Sequence, residues 1–229
     1  MIILYSMKAR RNHNKNEEKI IIACETLRDE LTKAMEAHQV TIPVWWMPVM
    51  HNHPDKMHDV LQRTVNHFKD VSEIRMAYGC CGTALVGIGS ANARIVIPKV
   101  ADCIELFLYE EADLEKLRTS GYFLTRGWLD GEEGLEKQYE QIRGQYGDSR
   151  AEEWIHTLFH NYTKLNLIDT GAYDFAPQMK RIEKLAASLG LEPQKIPGSL
   201  TLLERLVIGD LDEHFITVPS GGQIALGDF

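Results

Sequence analysis

A chain of 229 residues, 44% hydrophobic and 25% charged, has ordinary globular composition and is long enough for one large α/β domain or two lobes. Its formal net charge of −8 argues against non-specific nucleic-acid binding, which needs a basic face to displace counterions. No apolar run reaches the ~18 residues that would suggest a membrane span.

The opening stretch MIILYSMKARRNHNKNEEK is too weakly apolar and too quickly polar for a signal peptide. Residues 1–17 read as a flexible leader, with Met7 an alternative start, and the chain as cytoplasmic. From there the pattern alternates between strand and helix periods. IIIAC (20–24) is a continuous apolar strand, and TLRDELTKAMEAH (26–38) has apolar residues at helical spacing. VTIPVWWMPV (40–49) is a second strand whose prolines suit a sheet edge. Pro54 opens the helix HPDKMHDVLQRTVNHFKD. EIRMAY (73–78) and ARIVIP (93–98) are further strands, and ADCIELFLYEE has helical character. This order predicts an open, mainly parallel, Rossmann-like sheet over residues 18–112.

A second, smaller α/β lobe is expected over residues 113–229. GYFLTRGW (121–128) reads as a strand, followed by two polar-faced helices parted at Gly147–Asp148. LNLIDTG is strand-like, Gly190 stops one helix and Gly209 closes another, and HFITVPSGG forms a last strand and turn.

Three cysteines and one histidine fall just past these strands: Cys24 after KIII, His51 after VTIPVWWMPVM, Cys81 in RMAYGCCG and Cys103 after RIVIPKVAD. The carboxyl ends of parallel strands converge on the edge where α/β sheets bind ligands. Thiolates and imidazole suit zinc, copper or an iron–sulfur cluster, and cysteines of a reducing compartment favour metal or catalytic use over disulfides. The competing reading is that these thiols pack as small buried hydrophobes. Cys80, adjacent to Cys81, faces the other way in extended backbone and is a bystander. The glycine-rich turn GCCGTALVGIGS lacks the lysine of a phosphate loop, but Gly79, Gly82 and Thr83 are candidates for close approach to a cofactor. Among the histidines of HNHPDKMH, His51 is preferred as ligand or acid/base group, His53 is the alternate and His58 a solvated helix residue. His156 and His160 lack the glutamate of a zinc-protease pair and read as packing beside Trp154 and Phe159. Arg126 in TRGW is a candidate clamp for an anionic substrate or a salt bridge between lobes, and Asp169 in IDTG a candidate polar site residue.

The run IIACETLRDEL … MHNHPDKMHDVLQ … YGCCGTALVGI … IVIPKVADCIELFL … YFLTRGWL … IDTGAYD … GDLDEHFITVPSGG resembles domain-of-unknown-function family 1638 over roughly residues 18–222. The family pattern has a cysteine after the first strand, a histidine before an N-x-P step, a Y-G-x-C-G turn and a D-C-I helix start, which fall on Cys24, His51, Cys81 and Cys103. Cys80 occupies the variable position of that turn, and Leu211 stands where the family more often has tryptophan. Members occur beside corrinoid-dependent methyltransferases in anaerobes. The resemblance therefore implies a role in one-carbon, methyl-group or thiol metabolism. Two readings follow. One is a metal-dependent enzyme with zinc or an iron–sulfur cluster acting on a small-molecule substrate. The other is a non-catalytic accessory protein that binds a corrinoid, its metal or a partner methyltransferase.

Overall fold

The computed structural model describes residues 18–229; the leader expected over residues 1–17 lies outside the described residues. Strands β1 (Lys19–Cys24), β2 (Val44–Met47), β3 (Glu73–Ala77), β4 (Arg94–Pro98) and β8 (Phe215–Val218) form one sheet in the order β2-β1-β3-β4-β8. The first four are parallel and β8 is antiparallel to β4. In β1, β3 and β4 one side chain after another is buried, because helices cover both faces of the sheet. Ile20, Ile22, Ile74, Met76, Ile95 and Ile97 pack on one face beneath α2 (Pro54–His67). Ile21, Ala23, Ala77 and Val96 pack on the other beneath α1 (Arg28–Ala37) and α9 (Thr201–Ile208).

β2 lies at the sheet edge, as its prolines require, and Pro54 occupies the first turn of α2. Because β1 leads outward to β2 and the chain then crosses back to β3, the crossover direction reverses between β1 and β3. That reversal is the switch point where doubly wound sheets open a crevice.

The smaller sheet has the order β5-β6-β7 and is wholly parallel: β5 (Gly121–Leu124), β6 (Lys164–Asp169) and β7 (Glu192–Pro197). Its own core gathers Leu124, Leu165, Leu167, Phe175, Ile182 and Leu185. Around it stand α4 (Leu114–Ser120), α5 (Arg126–Asp130), α6 (Leu135–Tyr146), α7 (Asp148–Phe159) and α8 (Met179–Leu189). In α7 it is Phe159 and Trp154 that pack inward, while His156 and His160 are exposed.

Several elements differ from the sequence reading. ADCIELFLYEE is mostly turn and keeps only the short helix α3 (Glu105–Leu108), preceded by Asp102, whose carboxylate accepts hydrogen bonds from the backbone N–H groups of Ile104 and Glu105 as a helix-capping side chain does. GYFLTRGW extends only to Leu124 before Thr125 caps α5 through the Trp128 N–H at 3.3 Å. The proline-bearing EPQKIP forms β7, an edge strand with no apolar alternation to betray it. Finally, α9 and β8, expected with the second lobe, pack on the first.

The return of α9 is fixed by a buried charge. Arg75 of β3, 2% exposed, donates 2.7 Å hydrogen bonds to the Leu206 and Val207 carbonyls at the end of α9 and a 2.6 Å bond to Glu73. A cation at a helix carboxyl end satisfies orphan carbonyls and complements the dipole. Burial raises the Glu73 pKa, but hydrogen bonds from Arg75 and Arg94 outweigh it and hold the carboxyl below its ordinary value. Gly209 leaves the helix at φ +85, where a Cβ would stand 2.7 Å from the Arg75 guanidinium. Arg75→Met is expected to lower the urea-unfolding free energy by roughly 3 kcal/mol, with Glu73→Gln in that background recovering part of the loss.

Candidate metal centre

Cys24 ends β1, Cys81 lies four residues past β3 and Cys103 five past β4, so all three thiols stand on the carboxyl edge of the large sheet. Cys24 and Cys81 flank the switch point. All four cysteines are free. The turn carrying Cys81 is zipped to the loop carrying Cys103: the Cys80 N–H donates to the Val100 carbonyl at 2.9 Å and the Cys81 N–H to that of Ala101 at 2.8 Å. Gly79 permits this, since a Cβ there would lie 2.6 Å from the Asp102 Cα. Gly79, expected to admit a cofactor, thus admits the neighbouring backbone instead. Cys81, Gly82 and Thr83 follow in left-handed backbone, at φ +50, +66 and +70. Strain in two non-glycine residues is a mark of functional turns. Gly82 and Thr83 are exposed at its tip.

The thiols feel one another. Burial, then the charge of Cys24, raises the Cys81 pKa to about 12. Burial pushes Cys103 well up, reinforced by Cys81, Asp102 and Cys24, with the facing Trp128 indole N–H opposing them. Burial also raises Cys24, although the Thr26 hydroxyl donates to its sulfur at 3.2 Å. A thiol raised in this way is held protonated at neutral pH, which does not suit a free nucleophile. A bound metal would supply the counter-charge that lets such thiols ionise. The three sulfurs do not all lie within 4.8 Å of one another; among the described residues only the exposed Asp212, Glu213 and His214 offer three ligand atoms that close.

His51, the fourth expected ligand, packs against an aromatic ring. Its ring packs edge-on to Trp128 with centroids 4.1 Å apart. Desolvation against its neighbours, partly offset by Glu133, lowers its pKa from the ordinary histidine value. Trp128 therefore packs on His51 and lies near enough to Cys103 to act on its thiol. In TRGW the indole carries no sequence signal of a site, since a tryptophan beside a strand reads as packing, whereas the neighbouring Arg126 is charged. Arg126 is taken up by Asp29 of α1, donating from Nε at 2.7 Å and also from Nη2, which makes it the bridge between lobes. Asp169, at the end of β6, accepts from the Gly171 N–H at 3.2 Å and lies 3.4 Å from Nζ of Lys195 on the neighbouring strand β7. His53 is the exposed residue before α2, its carbonyl accepting from the Met57 N–H. His58, expected in solvent, is half-buried, and its Nδ1 lies 3.0 Å from the Ala84 carbonyl, pinning α2 to the cysteine turn.

Residues 45–207 match the model of a family described as "Protein of unknown function (DUF1638)". The chain belongs to the DUF1638 family. The matched stretch holds His51, Tyr78, Cys81, Cys103, Arg126 and Trp128, while Cys24 precedes it. No curated protein and no solved structure matched this DUF1638 chain. Among its described residues no helix is long and apolar enough to cross a membrane.

Gly127 holds Trp128 in place. A Cβ at Gly127 would lie 1.9 Å from the Thr26 carbonyl oxygen, so α5 meets the turn after β1 backbone to backbone. Gly127→Ala is expected to cost about 3 kcal/mol in thermal or urea unfolding and to shift the Trp128 fluorescence.

Beside this contact, Glu30 is wholly buried with no partner on either carboxylate oxygen, since the nearby Tyr173 hydroxyl donates to the Ile168 carbonyl at 2.9 Å. Burial, with Asp29 adding to it, raises its pKa to about 7. The folded state thus holds a proton that the unfolded chain releases near the ordinary 4.5. Stability is accordingly expected to fall by roughly 3 kcal/mol between pH 4.5 and 7 through this group and then level off. Glu30→Gln is expected to flatten that segment of the stability–pH curve.

Proposed function

We propose that this chain binds a soft metal centre through Cys24, Cys81 and Cys103 and acts as a small metal-dependent enzyme. The observation that carries the reading is the meeting of three thiols, from three separate strand-end loops, at the switch point of a parallel sheet. The donor set fits zinc or an iron–sulfur cluster.

Three cysteine ligands leave a position open, and the His51 ring packs on Trp128. That supports an enzyme over a closed accessory site. When bound, such a centre supplies an electrophilic position for a small ligand. The residues around it do the rest: Trp128 lies against Cys103, Thr26 donates to Cys24, and the paired Asp102 and Arg118 (2.7 and 2.9 Å) fix the loop that bears Cys103. A role in methyl- or thiol-group transfer, beside a corrinoid protein or methyltransferase, draws its support from the family resemblance.

Elemental analysis and absorption spectra of anaerobically purified protein test this reading. Iron with acid-labile sulfide and a broad visible band are expected, or about one zinc in a colourless protein. Cys81→Ser and Cys103→Ser should each lower metal content at least tenfold. Metal-free wild-type protein indifferent to both substitutions would overturn it.

A further inference from the structure

Tyr78 is 2% exposed, yet its hydroxyl has no hydrogen-bond partner. A buried hydroxyl left unpaired carries a desolvation cost, and native proteins keep few of them. Its surroundings explain why this one is kept. β1 and β3 run in register with Ala23 opposite Ala77, so the next residue of each chain, Cys24 and Tyr78, are neighbours. Paired residues of parallel strands leave the sheet on the same face. On that face Cys24 and Cys81 both pack against the cluster that includes Tyr78. Tyr78 therefore lies beside two thiols of the candidate centre, Cys24 and Cys81, and its hydroxyl is bonded to neither sulfur.

We propose that the Tyr78 hydroxyl donates a hydrogen bond to a non-protein acceptor atom, the anionic sulfur of a small thiol held in the open position of the three-cysteine centre. The proposal rests on the metal reading above and adds a residue that selects the ligand. Tyr78 lies beside the switch point, where a bound molecule would enter the crevice between β1 and β3. A phenol there favours an acceptor and disfavours a purely apolar occupant, because the latter would leave the hydroxyl unpaired.

Tyr78→Phe separates this role from a structural one. Removing an unpaired buried hydroxyl should leave the metal-free protein as stable as wild type or more so, whereas removing a structural hydrogen bond would destabilise it. Both proteins, loaded anaerobically with ferrous iron and sulfide, would be titrated calorimetrically with 2-mercaptoethanol. Equal metal content, an unchanged or higher melting temperature without metal, and about tenfold weaker thiol binding in the variant are expected. Equal thiol affinity, a wild-type centre that ignores the thiol, or a several-degree loss of stability in the metal-free variant would overturn the assignment to Tyr78 while leaving the metal reading intact. Failure of wild-type and Cys81→Ser protein alike to take up metal would overturn the metal reading and this inference with it.

Discussion

Where Gly127 meets Thr26 the two lobes touch backbone to backbone, and the candidate site is assembled around that contact. Thr26 lies two residues past Cys24 and donates to its sulfur; Trp128 follows Gly127 and lies against Cys103. Any side chain at position 127 would separate the lobes by more than a bond length. The flanking ion pair of Arg126 with Asp29 then fixes the angle of approach, because a guanidinium gripping a carboxylate through two nitrogens resists rotation. The carboxyl edge of the small sheet is thereby brought to the carboxyl edge of the large one.

This arrangement concentrates polar groups that a stable core would avoid. Three thiols raised by burial, a tyrosine hydroxyl with no partner and a glutamate with two unpaired oxygens all lie on or beside the contact between lobes. Elsewhere buried charge is satisfied: Arg75 finds two helix-end carbonyls and Glu73, and Asp102 finds Arg118 and two backbone donors. Two further buried polar atoms, Asn166 Nδ2 and Gln178 Oε1 of the smaller lobe, also stand unpaired, so the lack of a partner is not confined to the contact between lobes.

Some roles shifted once the chain was folded. Arg126 binds Asp29, Gly79 makes room for Asp102, and His58 ties α2 to the cysteine turn. In each case a polar or small residue in a suggestive motif met a neighbour from a distant segment. Tyr78 and Trp128 moved the opposite way. Read in sequence, Tyr78 is the last residue of an apolar strand and Trp128 part of another; their polar ends matter because of what lies beside them.

The sequence by itself determined the parallel sheet, since strands buried on both faces read as near-continuous apolar runs, as IIIAC and IVIP do. It also determined that three cysteines would lie at one edge, because parallel strands point their carboxyl ends the same way. It did not reveal β7, whose two prolines and polar residues carry no periodic signal, nor the return of α9 and β8 to the large sheet. Tertiary structure alone decided that His51 would turn to Trp128, that Arg126 would join the lobes and that the hydroxyl of Tyr78, a residue beside Cys24 and Cys81, would stand unpaired. Those outcomes depend on contacts between residues far apart in the chain, and local periodicity records only the contacts a segment makes with its own neighbours.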